Sequence, residues 1–266
     1  MDDPGPLGPL RPLLEAPPRS AVLSDFDGTL SAIVDDPEQA VAFPGTVDVL
    51  ARLATRFGAV AVVSGRPAAF LRRALAGAGP AVRLFGVYGF ERVEDGQVRV
   101  APEAEPWLGV AAAVEAAARG RAPAGLGVER KGPALALHWR RAPGAEPWAQ
   151  DFARRWAEDT GLVVQPGRRA LELRPPVPLD KGRVVEEVAG GMAAACFVGD
   201  DAGDLLAFDA LDRLVRAGTA GVRVAVADEE SPPELLARAD VVVDGPAEAL
   251  ALLTGLAEAA ASDGGG

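Results

Sequence analysis

Short apolar runs recur along the chain and constrain its fold more than any other feature. They are AVLSD (21–25), VAVVS (60–64), ACFVG (195–199), VRVAV (222–226) and VVVD (241–244). Nearly every residue in these runs is apolar, and most runs are rich in valine. Such runs are typical of strands buried on both faces of a parallel sheet. They therefore predict the core of an α/β protein.

Helical patterns separate these runs. In the stretch 44–58, Pro44 lies near the expected start of a helix and Gly58 lies just past its end, which is the usual asymmetry of helix termini. Similar patterns occupy residues 67–79, 181–191, 202–214 and 245–261. Strands that alternate with helices predict βαβ units, and so a Rossmann-like, doubly wound parallel sheet.

Residues 93–177 follow a different pattern, in which pairs of strands lie beside helices. This pattern favours a small α+β unit with an antiparallel sheet. Because the α/β pattern resumes afterwards, we expect 93–177 to be a domain inserted into a core formed by 21–92 and 178–261. Pro and Gly punctuate residues 1–20, which are predicted to be a flexible leader, and residues 262–266 are predicted to be a disordered tail.

The composition excludes several classes of partner. The formal net charge of −11 argues against a nucleic-acid or anionic-membrane partner, since both require a basic face. Cys196 is the one cysteine, which excludes an internal disulfide and a cysteine-based zinc cluster. The first residues lack the features of a signal peptide, and no apolar run approaches the length of a membrane span. We expect a cytoplasmic protein, and a monomer rather than an oligomer.

Carboxylates, a hydroxyl and a lysine follow the predicted strands. Ligands of an open parallel sheet bind beyond the carboxyl ends of its strands. The residues expected there are Asp25, Ser64, Asp200, Asp201 and Asp204, together with Lys181 at the start of a helix. Clustered carboxylates repel one another and therefore need a cation. Hard carboxylate oxygens in this number suit Mg²⁺, so Mg²⁺ is the predicted cofactor.

The acids at the first strand suggest phosphoryl transfer. Asp25 can act as a nucleophile toward phosphorus, while Mg²⁺ and Lys181 neutralise the repulsion between the carboxylate and the phosphate. Asp27 lies two residues later in a turn that Gly28 permits, and it can protonate the leaving oxygen and then activate water. The alternative is that Asp25 and Asp27 only cap the turn after a strand.

Four motifs resemble those of the haloacid-dehalogenase-type phosphatases and cover about two thirds of the chain. They are DFDGTL at 25–30, SGR at 64–66, Lys181 and GDDAGD at 199–204. The resemblance implies a Rossmann-like core with an inserted α+β cap of type C2. It implies that Asp25 is the nucleophile, that Asp27 is the general acid and base, and that Ser64 and Lys181 hold the phosphoryl group. It places Mg²⁺ on Asp25, the Asp27 carbonyl and Asp200, with Asp204 as a supporting acid.

The region around the insertion resembles trehalose-6-phosphate phosphatases. The matching segments are VSGRP, GVYGFE, GVERKGPALALHWR, GRRALELRP and DKG. By this resemblance Gly65 and Arg66 accompany Ser64 in binding substrate, and Glu91, Arg168 and Glu172 match residues that contact the sugar. Tyr88 stands where the family usually has His, and Arg168 where it usually has Lys, which offers a point charge instead of a planar fork.

Alternatives remain open for individual residues and for the function. Arg66 either contacts the substrate or only braces the acidic cluster, and Asp201 or Asp204 can serve as an ordinary helix N-cap. The resemblance implies hydrolysis of trehalose 6-phosphate as the last step of trehalose biosynthesis. A second possibility is a related phosphatase acting on sucrose phosphate, a glucosyl- or mannosyl-glycerol phosphate, or a hexose phosphate. A third is a non-catalytic protein that binds sugar phosphates.

Overall fold

A computed structural model describes residues 7–34, 39–167, 169–229 and 231–262. The described residues fall into two compact units. The larger unit contains the chain up to Val98 and the chain from Leu179 onward, and the smaller unit is Arg99–Pro178.

The elements follow the predicted alternation of strands and helices. The strands are β1 (Ser20–Ser24), β2 (Ala59–Val63), β3 (Val82–Gly86), β4 (Glu91–Glu94), β5 (Gln97–Val100), β6 (Gly127–Lys131), β7 (Ala134–His138), β8 (Val163–Gly167), β9 (Ala170–Arg174), β10 (Ala194–Gly199), β11 (Ala220–Ala227) and β12 (Val241–Asp244). The helices are α1 (Arg11–Glu15), α2 (Thr46–Ala54), α3 (Ala68–Ala74), α4 (Leu108–Arg121), α5 (Glu146–Thr160), α6 (Lys181–Ala189), α7 (Leu205–Arg216), α8 (Pro233–Arg238) and α9 (Gly245–Ser262).

An eight-stranded sheet with the order β12-β11-β10-β1-β2-β3-β4-β5 forms the centre of the larger unit. The six strands from β12 to β3 are parallel, and β4 pairs antiparallel to β3. Strand β1 lies between β10 and β2, so the chain crosses over in opposite directions on its two sides. A crevice at the carboxyl ends of the strands is expected at such a switch point. The predicted α/β fold class is confirmed.

The two faces of this sheet pack against different helices. Side chains of β1 alternate between the faces, so Val22 joins one apolar cluster while Ala21 and Leu23 join the other. Residues of α1, α2, α3 and α9 pack on the Val22 face, and residues of α6, α7 and α8 pack on the opposite face. Burial on both faces explains why the parallel strands read as continuous apolar runs.

The prediction of a flexible leader over residues 1–20 is wrong for residues 7–20. Helix α1 occupies part of this segment, and Leu10 and Leu13 are 1% and 0% exposed within the core. Pro12 stands in the first turn of the helix, where its missing N–H has no partner to lose. Residues 1–6 and 263–266 of the predicted leader and tail lie outside the described part of the chain.

The smaller unit is a four-stranded antiparallel sheet, ordered β6-β7-β9-β8, against which α4 and α5 pack. The predicted start of the insertion at residue 93 is too early. Strands β4 and β5 extend the eight-stranded sheet, so the segment QVRV at 97–100 belongs to that sheet. None of the helices in the described residues has both the length and the apolar character needed to span a membrane.

Candidate active site

The side chains predicted to be functional follow β1, β10 and β2 directly, at the same edge of the sheet. The amide of Asp25 still donates to the carbonyl of Val198 (2.8 Å), so the ladder with β10 extends to Asp25. Asp200 follows β10, and Ser64 follows β2 with its amide donating to the carbonyl of Phe85 (3.0 Å). Asp25, Ser64 and Asp200 are 4%, 1% and 8% exposed. The parallel register thus delivers buried polar groups to the switch point.

Lys181 joins this group from the first position of α6. The side chain of Asp180 caps the helix by accepting from the amide of Arg183 (2.8 Å). The Lys181 side chain is 2% exposed, and its Nζ lies 3.0 Å from Oδ2 of Asp25 and 2.7 Å from Oδ1 of Asp204. The buried ammonium group therefore bridges the predicted nucleophile and a second acid.

Asp201 and Asp204 are held by the turn that precedes α7. Asp201 is the N-cap and accepts from the amides of Gly203 (2.8 Å) and Asp204 (3.2 Å). Oδ2 of Asp204 accepts from the amides of Asp200 (2.9 Å) and Asp201 (3.0 Å), which completes a capping box. The prediction that one of these acids is an N-cap is confirmed for Asp201. Asp204 is 0% exposed. Its carboxylate connects the amides of this loop to the Lys181 ammonium group.

Asp200 lies against the turn that follows Asp25. The hydroxyl of Thr29 donates to Oδ1 of Asp200 (2.8 Å) across 171 residues of sequence. Gly28 has a φ of +74°, and a Cβ added to it would lie 2.0 Å from Oδ2 of Asp200. Glycine is therefore required for two reasons, its positive φ and the close approach of the carboxylate.

Burial raises the pKa of three of these acids. The pKa of Asp25 lies well above its usual value because of burial, which Lys181 partly offsets. Burial, with the charges of Asp204 and Asp201, raises the pKa of Asp200 to about 8. Burial also raises the pKa of Asp204 to about 6 although Lys181 lowers it. The ammonium group alone does not neutralise the cluster, so the site favours a proton or a further cation.

The acidic cluster fits a divalent cation. Oδ1 of Asp25 is buried and has no hydrogen-bond partner among the described residues. Carboxylate oxygens of Asp25, Asp201 and Asp204 lie within 4.8 Å of one another. A buried oxygen without a donor, beside further carboxylates, is the donor set that a hard cation such as Mg²⁺ prefers. Asp201 was not among the predicted ligands, although the GDD sequence offers it beside Asp200.

Asp27 pairs with Arg66 instead of joining the buried cluster. The guanidinium group donates from Nε to Oδ2 (2.8 Å) and from Nη2 to Oδ1 (2.6 Å). The side chains of Arg66 and Asp27 are 15% and 32% exposed. Sequence reasoning left open whether Arg66 binds substrate or braces the acidic cluster, and the structure shows Arg66 paired with Asp27. Its role toward substrate stays a prediction, as do the roles of the other site residues.

The segment that carries Ser64, Gly65 and Arg66 rests on residues 85–91. Tyr88 donates its amide to the carbonyl of Ser64 (2.9 Å), and an added Cβ on Gly65 would lie 2.6 Å from the Tyr88 hydroxyl. Glu91 is 7% exposed, and its Oε2 accepts from the amide of Ala68 (2.8 Å). Glu91 thus braces the start of α3, and its predicted contact with a sugar stays untested.

The smaller unit contains the two remaining predicted sugar contacts, of which the structure describes Glu172. Oε1 of Glu172 on β9 lies 2.8 Å from Nζ of Lys131 on β6, and both side chains are largely buried. Lys131 was not singled out from the sequence, although the quoted segment GVERKG contains it. Arg168 lies outside the described residues.

Comparison with known proteins identifies similar sequences. The family model described as trehalose-phosphatase matches residues 23–237. A trehalose-phosphate phosphatase of Mycobacterium marinum is 37% identical over 227 residues, covering 80% of this chain and 55% of that protein. An uncharacterized glycosyl hydrolase of Mycobacterium tuberculosis is 38% identical over 209 residues, covering 73% of this chain and 15% of that protein. The chain spans about half the length of the curated trehalose-phosphate phosphatases that it matches.

Solved structures share the fold. A crystal structure of a trehalose-6-phosphate phosphatase related protein has a TM-score of 0.77 and 24% identity, covering 91% of this chain and 99% of that chain. A haloacid dehalogenase-like hydrolase from Bacteroides thetaiotaomicron has a TM-score of 0.56 and 17% identity, covering 92% and 99%. These likenesses confirm the predicted haloacid-dehalogenase-like fold.

Proposed function

The chain belongs to the trehalose-phosphatase family, and on this basis we propose that it hydrolyses trehalose 6-phosphate to trehalose and inorganic phosphate. This reaction would be the last step of trehalose biosynthesis. One observation carries the proposal beyond family membership. The Asp25 carboxylate is buried at the switch point, 3.0 Å from the Lys181 ammonium group. A carboxylate that attacks an anionic phosphoryl group requires such a nearby positive charge.

In the first step a carboxylate oxygen of Asp25 attacks phosphorus and forms a P–O bond. The bond from phosphorus to O6 of the sugar breaks, and its electron pair stays on O6. Asp27 gives its proton to that oxygen, so trehalose leaves as a neutral alcohol. Ser64 and Lys181 hold the phosphoryl oxygens during the transfer. The product of this step is an aspartyl phosphate on Asp25.

In the second step the ionised Asp27 accepts a proton from water, whose oxygen attacks phosphorus. The bond between phosphorus and the Asp25 oxygen breaks, and its electron pair returns to the carboxylate. Inorganic phosphate leaves, and the proton on Asp27 restores the starting state. Asp27 therefore acts as an acid and then as a base, which suits a carboxylate that is partly exposed to water.

A bound Mg²⁺ would neutralise charge between the Asp25 carboxylate and the phosphoryl group. We infer that Asp25 and the Asp200–Asp204 segment hold it, together with the Asp27 carbonyl. The unpartnered Oδ1 of Asp25 and the adjacent carboxylates support this assignment. Asp204 also keeps Lys181 in place through its 2.7 Å contact.

We further infer, from the family resemblance, that Gly65, Glu91, Arg168 and Glu172 recognise the sugar. In this proposal the protein works as a cytoplasmic monomer without a nucleic-acid or membrane partner. The family resemblance and the net charge of −11 support these inferences.

Tyr88 favours a second candidate, a phosphatase for a different sugar phosphate. It stands where the resembled family usually has His, and its ring lies against Gly65, next to Ser64. A substitution this near the predicted phosphate-binding residue can change which sugar fits. Sucrose phosphate, glucosyl- or mannosyl-glycerol phosphates and hexose phosphates are the alternatives.

Phosphate release from a panel of these sugar phosphates, with and without Mg²⁺, tests the function. We expect a kcat/KM for trehalose 6-phosphate that is at least about tenfold above the others, and no release without Mg²⁺. Asp25→Asn, which removes the nucleophile with little change in size, is expected to abolish release. Comparable rates on several sugars would refute the narrow substrate and keep the phosphatase. Activity that persists in Asp25→Asn would refute the mechanism, and a parent inactive on the whole panel would leave sugar-phosphate binding as the function.

A further inference from the structure

The guanidinium group of Arg66 donates hydrogen bonds to both carboxylate oxygens of Asp27. Nε lies 2.8 Å from Oδ2 and Nη2 lies 2.6 Å from Oδ1. Two parallel N–H···O bonds fix the plane and the direction of a carboxylate, which a single ammonium group cannot do. The side chain of Arg66 is 15% exposed, so water competes with this pair less than it does at an open surface.

An aromatic ring packs against the Arg66 guanidinium group. Cζ of Arg66 lies 4.9 Å from the centre of the Phe70 ring on α3. Phe70 in turn makes an edge-to-face contact with Phe26, at 5.7 Å between ring centres and 80° between planes. Phe26 is fully buried and lies between Asp25 and Asp27 in sequence. The ring pair therefore ties the Arg66 side chain to the turn that carries both acids.

The main chain of Arg66 is also anchored. Its amide donates to Oγ of Ser64 (3.1 Å), and its carbonyl accepts from the amide of Val87 (2.8 Å). The next turn is held by Glu91, which accepts from the amide of Ala68 (2.8 Å). Both ends of the arginine are thus fixed, and the Asp27 carboxylate is the group whose direction they determine.

We propose that Arg66 is a positioning residue, which acts on the reaction by orienting Asp27 and not by binding the phosphate. This inference rests on the proposed function, in which Asp27 gives a proton to the leaving sugar oxygen. To donate, Asp27 must carry its proton on one oxygen, so one of the two bonds from Arg66 gives way to the leaving sugar oxygen while the other keeps the carboxyl group directed. A misdirected carboxyl group loses rate without losing substrate affinity.

The leaving group separates positioning from phosphate binding. A sugar alkoxide is a poor leaving group and depends on the proton from Asp27. The nitrophenolate of 4-nitrophenyl phosphate leaves without a proton. This substrate nevertheless transfers the same phosphoryl group to Asp25. For both substrates kcat/KM reports the steps up to the first irreversible bond cleavage, so the later hydrolysis of the aspartyl phosphate does not enter the comparison.

Arg66→Met removes the fork and keeps much of the side-chain volume. We expect kcat/KM for trehalose 6-phosphate, or for the best sugar phosphate of the panel, to fall about 100-fold. We expect kcat/KM for 4-nitrophenyl phosphate to change by less than about threefold, with KM for the sugar phosphate nearly unchanged. Arg66→Met added to Asp27→Asn is expected to cause no further loss on the sugar phosphate, because the two residues act as a unit. Retained activity on the aryl phosphate also demonstrates that the variant folds.

Arg73→Met is the matched control. Arg73 lies over the same Phe70 ring, at 6.0 Å, and is exposed. We expect both kcat/KM values of this variant to stay within about twofold of the parent. Equal losses on both substrates in Arg66→Met, or a KM that rises in proportion, would overturn the positioning role while leaving the proposed function intact. A parent inactive on every sugar phosphate would overturn both.

Discussion

Replacement of Gly28 by alanine tests the close approach between the first strand end and Asp200. The new Cβ would lie 2.0 Å from Oδ2, 2.3 Å from Cγ and 2.7 Å from Oδ1 of Asp200. Heavy atoms in ordinary contact are about 3.5 Å apart, so the carboxylate must move by more than about 1 Å. All three atoms of the carboxylate group are too close, so rotation of that group alone does not relieve the overlap.

Two costs add in the Gly28→Ala variant. An L-residue at a φ of +74° costs about 1 kcal/mol. Displacement of Asp200 also breaks its hydrogen bond with Thr29, a loss of about 2 kcal/mol for a buried bond to a carboxylate. We expect urea unfolding to show a loss of about 3 kcal/mol, and kcat/KM for the sugar phosphate to fall about 100-fold because the site is misplaced by about 1 Å.

Gly96→Ala is the matched control for the backbone. Gly96 has a φ of +72°, and an added Cβ there would meet nothing within 4 Å. We expect this variant to lose about 1 kcal/mol and to keep its kcat/KM. If Gly28→Ala matched Gly96→Ala in both stability and activity, the close approach of Asp200 to the turn would be refuted.

Two further predictions concern stability. Burial raises the pKa of Asp200 to about 8 and of Asp204 to about 6, so the metal-free folded state holds protons that the unfolded chain releases near pH 4. Their stabilising contribution is complete below about pH 4 and is lost as the pH rises through 6 to 8, so the urea midpoint in a chelator should be lower at pH 8.5 than at pH 6. Added Mg²⁺ should reduce this difference, and equal midpoints without metal would contradict it. Leu13→Ala should lower the free energy of unfolding in urea by about 3 kcal/mol. Val242→Ala, at a residue that is 52% exposed, should lower it by less than about 0.5 kcal/mol. An equally small loss in Leu13→Ala would support the prediction of a flexible leader.

The parts of the site that sequence reasoning anticipates are those that follow from the parallel sheet. Asp25 and Asp200 each come directly after an apolar run, and parallel strands end at the same edge, so their proximity follows from topology. Lys181 is an unusual residue for the start of a helix, where the dipole disfavours a cation. Its contact with Asp25 explains its place there.

Other parts depend on packing that no local pattern reveals. The pair of Arg66 with Asp27 joins residues 39 positions apart, on the segments that follow β2 and β1. Leu13 lies in a segment whose prolines favour a loop, and it joins the core because α1 contacts β1, β10 and α9. Strand β5 resembles those of the insertion, but its pairing with β4 places it in the larger sheet.

The pairing of β1 with β10 determines when the core can fold during synthesis of the chain. Ser20 lies opposite Ala194, so β1 has one unsatisfied edge until the ribosome has made the whole of Arg99–Pro178. The strands of that intervening unit pair only with one another, so it can fold before β10 is made. A nascent or truncated chain that ends before β10 therefore carries Asp25 on an open strand edge, without the acids that follow β10. Such fragments are expected to aggregate, and they cannot act as partial enzymes.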